Sequence, residues 1–265
     1  MLTENKEKTP IVSVITPTYN SEQFIAETIE SVIKQSFSNW EMVIVDDCSS
    51  DSTVDIIKQY QMIDSRIKLY ELDENSGAAV ARNKSIRNAN GRYLAFLDSD
   101  DLWYPEKLEK QLAFMEKNDL AFSFTKYQRM RLDGTLTNNI SKTPKSVGYH
   151  DLMKHCIIGC LTVMLDRQKI DNIEMKNIRR RQDYALWLTI TRKGYRAYGL
   201  PEILAKYRLG QNTVSSNKFK AAKGQWYVYR QIEKKNLLIS SYYFLHYTFH
   251  GLHNALKSKM KINER

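Results

Sequence analysis

Three carboxylates fall within four residues at Asp98-Ser99-Asp100-Asp101. At that spacing they repel one another unless a cation or a helix end compensates. A hard divalent cation meets the need, because Mg²⁺ and Mn²⁺ take oxygen ligands and are commonly shared with substrate phosphates. Capping is the competing role: Asp101 could cap a helix opening near Pro105, where acids are favoured. That accounts for one aspartate and leaves the others unexplained. A second pair, Asp46-Asp47, closes an apolar run. A carboxylate there could accept hydrogen bonds from a ribose or a base N–H, or serve as a cap, with Asp51 capping the next helix. Tyr19, just beyond Pro17, offers a face for stacking on a nucleobase or for ordinary packing. Neither Gly-x-Gly-x-x-Gly nor Gly-x4-Gly-Lys-Ser/Thr occurs, which argues against a dehydrogenase or a P-loop nucleotidase. Phosphate neutralisation then falls more heavily on a metal.

The elements that must carry these groups follow from periodicity. Ile11–Thr16 is β-branched and closed by Pro17, so it reads as a buried strand. A helix is expected over about Ser21–Lys34, with Phe24, Thr28 and Val32 on one face. Met42–Val45 is a second buried strand, followed by a helix over Ser52–Gln61. Ile67–Glu71 is a third strand, Asn75-Ser-Gly77 turns into a helix ending near Ala89, and Tyr93–Leu97 is a fourth strand. This alternation predicts βαβ units and a mostly parallel sheet. In such sheets ligands bind beyond the carboxyl ends of the strands, where three polar clusters fall here: Thr18-Tyr19-Asn20, Asp46–Asp51 and Asp98–Asp101. The second part is less regular. Strands are expected over Phe122–Arg131, Leu161–Leu165 and Ile203–Tyr207, a hairpin turn at Asp133-Gly134, a helix over Asp183–Arg192, and only helices thereafter.

Length and composition fit one large domain with an appendage: 265 residues, 42% hydrophobic and 26% charged. The net charge of +10 is uneven. Residues 205–265 hold twelve Lys/Arg against two acids, so the first 204 residues are neutral. The polar start, MLTENKEKTP, lacks a signal-peptide pattern, and no apolar run approaches a membrane span. Three cysteines, Cys48, Cys156 and Cys160, suggest reduced thiols in the cytoplasm acting as small packing residues.

Six ordered motifs closely resemble glycosyltransferase family 2: Val12-Ser-Val-Ile-Thr-Pro-Thr-Tyr-Asn20, Ser31-x3-Gln35-Ser-Phe-x2-Trp-Glu41, Val45-Asp-Asp-x-Ser-x-Asp51, Asn75-x-Gly77-x3-Ala81-Arg82-Asn83, Phe96-Leu-Asp-Ser-Asp-Asp101 and Gln182-Asp183-Tyr-x-Leu-Trp187. The resemblance spans about residues 9–217 and points within the family to bacterial teichuronic acid, capsule and exopolysaccharide enzymes. It implies an α/β GT-A fold, Rossmann-like, with a mostly parallel central sheet flanked by helices, and an inverting enzyme using a nucleotide sugar, UDP-linked by family expectation. By motif, Tyr19 would stack on the base, Pro17 would shape that pocket and Asp47 would bind the base edge. Arg82 would approach the nucleotide or its phosphates, Asp98 would touch the ribose or metal side, Ser99 would bind the nucleotide, and Asp100 would hold Mn²⁺ or Mg²⁺ on the diphosphate. Asp183 would be the catalytic base. Two departures stand out. Gln182 replaces the Glu of many relatives, and Tyr207-Arg208 is followed by Leu209-Gly210 with no His.

The pattern fades after Asn217, which divides the chain into a 1–216 glycosyltransferase domain and a 217–265 helical extension. Leu238, Tyr242, Leu245, Phe249, Leu252 and Leu256 form a helical stripe, accompanied by aromatics and followed by Lys257, Lys259 and Lys261. This mixture suits an interfacial helix on an anionic membrane surface. The alternatives are packing on the domain or on a twin helix in a homo-oligomer. His246, His250 and His253 share a face and read as polar flanks of the stripe rather than a metal site. The expected function is transfer of a sugar to a lipid-linked or growing saccharide in cell-surface polysaccharide synthesis, peripheral on the inner membrane face. A catalytically inactive nucleotide-sugar-binding subunit of an assembly complex is the other reading. Nucleic-acid binding lacks any matching motif.

Overall fold

The computed structural model describes residues 9–210 and 218–263, with backbone only for 218–220, 250 and 252–263. β1 (Val12–Thr18) and β2 (Trp40–Asp46) are buried along their whole lengths, as expected of strands covered on both faces. They pair in parallel from Val12↔Trp40 to Thr18↔Asp46. β3 (Ile67–Glu71) flanks β2, and β4 (Tyr93–Phe96) flanks β1, both in parallel. The connections are α1 (Ile25–Ile33), α2 (Thr53–Ile63) and α3 (Ala78–Asn88). This half matches the alternation read from the sequence.

The second half is mixed. It holds β5 (Leu102–Trp103), α4 (Lys107–Lys117), β6 (Phe122–Met130), β7 (Leu136–Ile140), β8 (Ser146–Val147), α5 (Tyr149–Lys154), β9 (Met164–Asp166), α6 (Gln182–Arg192) and β10 (Ala197–Arg208). The strand order is β3-β2-β1-β4-β9-β6-β10-β5, with β7 on β6 and β8 on β10. β9 runs antiparallel to both neighbours, while β10 and β6 are parallel. β10 starts earlier than its periodicity suggests because Pro201 falls where the register against β6 shifts, which breaks the alternation. Leu161 lies in a 3₁₀ turn over Cys160–Thr162, leaving only Met164–Asp166 as strand. After β10 the described residues form α7 (Lys218–Tyr227), a π-helical turn (Val228–Ile232) and α8 (Leu237–Asn263).

Alternate strand residues feed two cores. Ile15, Leu94 and Phe96 pack with residues of α3, α5 and α6, while Val14, Tyr93 and Ala95 pack with residues of α1, α2 and α4. The fold is therefore three-layered, with the sheet between two helical layers. Val228, Tyr229 and Tyr243 join the first core, so the extension shares the interior of the layer that holds α3, α5 and α6. Trp187 is fully buried and meets Phe96 edge-on at 5.6 Å and Phe122 at 5.3 Å. It pins α6, and with it Asp183 one turn earlier, to the sheet. Of the three free cysteines, Cys160 is buried and Cys156 partly so. Cys48 departs from the packing role: it is exposed, with a left-handed φ of 64° in the β2–α2 loop.

A buried polar link fixes β4 beside β1. Glu41 Oε1 accepts from Ser13 Oγ at 2.6 Å and from the Asn90 N–H at 2.5 Å, and the Gly91 N–H donates to Ser13 Oγ at 2.8 Å. A methyl group on Gly91 would lie 2.6 Å from the Ser13 nitrogen and 2.8 Å from the Val12 carbonyl carbon. Backbone cannot yield cheaply there, so Gly91→Ala should cost about 2–3 kcal/mol in denaturant unfolding. A cost within error of zero would show that the link does not set the β1–β4 approach.

Candidate active site

The carboxyl ends of β1, β2 and β4 lie side by side because those strands are adjacent and parallel. Pro17 is buried within β1 opposite Val45, and Tyr19 emerges just past the strand, 49% exposed and so available for stacking. The Asp47 N–H donates to the Thr18 carbonyl at 2.9 Å, joining the two loops. Asn20 strengthens the join: its Oδ1 accepts from the Ser50 N–H at 2.9 Å and its N–H donates to Ser49 Oγ at 2.9 Å. Its φ of 45° is one that Asn tolerates better than most residues. Asp51 caps α2, accepting from the Thr53 N–H at 3.0 Å.

Asp47 is buried, and each carboxylate oxygen accepts a backbone N–H from the turn before α3, Ser76 at 2.7 Å and Gly77 at 2.9 Å. Gly77 has φ 95°, which explains the glycine. Asp47 thus holds this turn against β2, and base recognition would use its remaining lone pairs. Asp46 is also satisfied locally, by the Ser49 N–H at 2.7 Å and the Ser49 hydroxyl at 2.5 Å.

Beyond β4, Asp98 accepts from Arg82 Nη2 at 2.5 Å. Arg82 projects from α3 and is buried. Burial opposes its charge, but Asp98 outweighs that, with Asp183 among the smaller contributors, and the guanidinium is held charged. Arg82 and Asp98 therefore form a partly buried ion pair. Ser99 Oγ meets Ser21 Oγ at 2.8 Å, and the Ser99 and Asp101 carbonyls both accept from Thr28 Oγ1 at 3.0 Å. These bonds tie the acidic loop to α1.

The loop's aspartates are not equivalent. Burial and the neighbouring charge of Asp98 push Asp100 up to about 6, with Arg208 and Arg82 opposing. Asp101 is buried and pushed well above the ordinary carboxylate range, by burial first and then by Asp100 and Asp98. Its Oδ1 accepts from the Arg208 N–H at 2.8 Å, and its Oδ2 is buried with no hydrogen-bond partner. Asp101 does not cap α4, which begins at Lys107 after Glu106; the alternative weighed from the sequence gives way to a tie with β10.

Arg208 is the residue that sequence reasoning missed. It is almost fully buried, donating to the Asp100 carbonyl at 2.8 Å, the Leu132 carbonyl at 3.1 Å and Glu27 at 2.7 Å. The signals were the Tyr207-Arg208 pair noted against the family pattern and its place at the end of an apolar strand. Asp183 lies in the first turn of α6, partly buried, and Gln182 opens that helix.

Among the described residues no three His, Cys, Asp or Glu side chains converge on one point. Asp100 still fits a divalent cation: burial and the neighbouring charge of Asp98 disfavour its ionised form, which a cation would restore, and a diphosphate would complete the oxygen shell. His246 packs on Tyr242, ring centroids 4.7 Å apart, while the His250 and His253 side chains fall outside the described residues.

The sequence profile described as glycosyl transferase family 2 matches residues 13–173. The chain belongs to this family. It is a glycosyltransferase with a GT-A fold. Family 2 relatives include TuaG of Bacillus subtilis strain 168, a glycosyltransferase provisionally assigned to teichuronic acid biosynthesis, 53% identical over 95% of this chain and 98% of TuaG. WfgD of Escherichia coli, a UDP-Glc:α-D-GlcNAc-diphosphoundecaprenol β-1,3-glucosyltransferase, is 41% identical over 91% of this chain and 94% of its own length. The crystal structure of S. aureus TarS 1-349 in complex with UDP matches with a TM-score of 0.61 and 26% identity, over 75% of this chain and 60% of that one.

Asp100 gives a pH signature. Its folded value, about 6, lies above the ordinary 3.8, so the folded protein binds this proton more tightly than the unfolded chain. The stabilisation is complete below about pH 4 and is lost as pH rises through 6. In EDTA at pH 7.5, Asp100→Asn should therefore raise Tm by about 2–3 °C, and at pH 4 the gain should vanish. A lowered Tm at pH 7.5 would contradict this assignment.

Proposed function

We propose that the protein is a metal-dependent, inverting glycosyltransferase of bacterial cell-surface polysaccharide synthesis, moving a sugar from a UDP-sugar to a lipid-linked or growing saccharide. The observation that carries the reading is the Arg82–Asp98 ion pair beside Asp100 at the carboxyl end of the sheet, near the exposed ring of Tyr19. The UDP of the TarS complex and the UDP-Glc in the name of WfgD support the donor class. WfgD's diphosphoundecaprenol acceptor supports the lipid-linked one.

In this reading Tyr19 stacks on the base, Pro17 shapes its pocket and Asp47 receives the base edge. Asp98 and Ser99 face the ribose, and Arg82 faces the phosphates. Asp100, with Asp98 beside it, holds Mn²⁺ or Mg²⁺. What the bound cation supplies is charge neutralisation on the departing diphosphate. The acceptor hydroxyl attacks the anomeric carbon from the face opposite the nucleotide, and Asp183 takes its proton as the new C–O bond forms. The bond to the diphosphate breaks, and its electron pair leaves with UDP. One displacement inverts the anomeric carbon once, so no enzyme nucleophile is required. Gln182 provides no second carboxylate beside Asp183, so a single base carries the proton transfer.

The reading extends to the 217–265 extension as a surface-docking element on the inner membrane face. No helix among the described residues is long and apolar enough to cross a membrane. Leu238, Leu245 and Phe249 are 82%, 68% and 68% exposed, with Tyr242 half exposed on the same stripe. Large apolar side chains left in water at helical spacing suit a lipid headgroup boundary, and the basic excess of this quarter suits an anionic one. The stripe's continuation through Leu252 and Leu256, and the Lys257, Lys259 and Lys261 side chains, fall outside the described residues.

Two experiments test these claims. In a donor panel with Mn²⁺, one UDP-sugar should raise Tm and be turned over, while Asp183→Asn should keep the shift and lose at least about 100-fold in turnover. Near-normal transfer by a folded Asp183→Asn protein would remove the base. In flotation with phosphatidylglycerol vesicles, replacing Leu238, Leu245 and Phe249 by Glu should abolish co-flotation with turnover of a water-soluble acceptor analogue retained. Undiminished flotation would rule out the stripe as the docking face.

A further inference from the structure

We propose that the C-terminal helices position the catalytic base: Tyr247 of α8 and Gln225 of α7 are positioning residues for Asp183. The inference rests on the reading of Asp183 as that base. Arg181, immediately before α6, has φ 65°, a left-handed conformation that a non-glycine residue keeps only where its surroundings enforce it. Contacts from the extension reach this residue. Arg181 Nη2 donates to the Tyr247 hydroxyl at 3.1 Å, and the guanidinium lies 5.7 Å from the Tyr247 ring. On the other side of Asp183, Tyr184 is fully buried; its hydroxyl accepts from Gln225 Nε2 at 3.0 Å and donates to the Leu152 carbonyl at 3.0 Å. A side chain at Gly224 would lie 3.7 Å from Arg181 Cγ and 3.8 Å from Arg180 Cβ, so α7 runs close along the same segment.

The helices that supply these contacts are themselves fixed. The Tyr229 hydroxyl donates to the Met153 carbonyl at 2.6 Å. Glu233 accepts from the Tyr149 hydroxyl at 2.5 Å and from Arg192 at 3.1 Å, and Tyr243 Oη meets His150 Nδ1 at 2.7 Å. The extension is thus anchored on α5 and α6 and grips residues 181 and 184, on either side of Asp183. A general base works only within hydrogen-bond reach of its proton, and a displacement of about 1 Å can cost about 100-fold in rate. The donor pocket is built from other elements, β1, β2, β4 and α3. Loosening the grip should therefore fall on turnover and spare donor binding.

The test uses the full chain. Tyr247→Phe keeps the ring and removes the hydroxyl; Gln225→Met keeps the volume and removes the donor. With UDP-glucose and a GlcNAc-diphosphate-lipid acceptor, the double variant should lose about tenfold in kcat, with KM for UDP-glucose and affinity for UDP within about twofold of wild type. Amide hydrogen exchange over residues 179–184 should accelerate, a readout independent of the donor. Wild-type exchange across that segment, or a KM rise with unchanged kcat, would overturn the proposal. Tyr247→Phe alone, at a half-buried site, gives the same decision if the double variant does not fold. Asp183→Asn separates the two ideas: an active Asp183→Asn protein ends the base reading, whereas an inactive one beside a fully active double variant ends only this inference.

Discussion

Acids crowded at the end of a buried strand must be held against their mutual repulsion, and two buried arginines do this work. Arg82 meets Asp98 directly, while Arg208 reaches the backbone of Asp100, and its own N–H serves Asp101. A buried guanidinium has to satisfy its donors, so each arginine also dictates where its partners lie. Through Arg208 the last strand, the acidic loop, Glu27 on α1 and the Leu132 turn are bound together. The site's geometry depends on this arrangement, and Asp100 still lies above the ordinary carboxylate range, by burial first and then by the charge of Asp98.

The molecule separates its tasks by element. One set of loops, at the ends of β1, β2 and β4, is fastened by Asn20, Asp47 and the Ser49–Ser50 turn, with the exposed ring of Tyr19 at its rim. A different element, α6, carries Asp183 and is anchored to the sheet by Trp187. Among the described residues the extension bonds to α5, to α6 and to Arg181 just before it. The two faces of α8 differ accordingly: Tyr243 and Tyr247 turn toward α5 and α6, and Leu238 and Leu245 turn to solvent.

That division refines the meaning of the net charge. The neutral 204 residues contain the acidic loop and one of its two compensating arginines, Arg82. Arg208 belongs to the basic final quarter by sequence, yet it is buried against the acids of the first part. The excess available to an external partner is therefore smaller than the arithmetic suggests, and it lies beyond β10.

Much was legible before any coordinates. Alternating strands and helices, Pro17, Gly77 and the aspartate clusters are local features, and local sterics with hydrophobic period fix where such residues fall. The first four strands and the placement of Tyr19, Asp47, Asp98 and Asp100 at their ends followed from that pattern. The mixed second half did not, because short antiparallel strands such as β9 owe their pairing to distant partners. The burial of Arg208 and the divergence of Asp100 from Asp101 were likewise invisible, since a pKa depends on which groups arrive from elsewhere in the chain. The sequence by itself determined a parallel α/β half with acids at its strand ends and a basic amphipathic tail. Only the tertiary structure decided which acid is bonded and which is left strained, and which face of the tail is spent on the enzyme, because both depend on contacts between residues far apart in sequence.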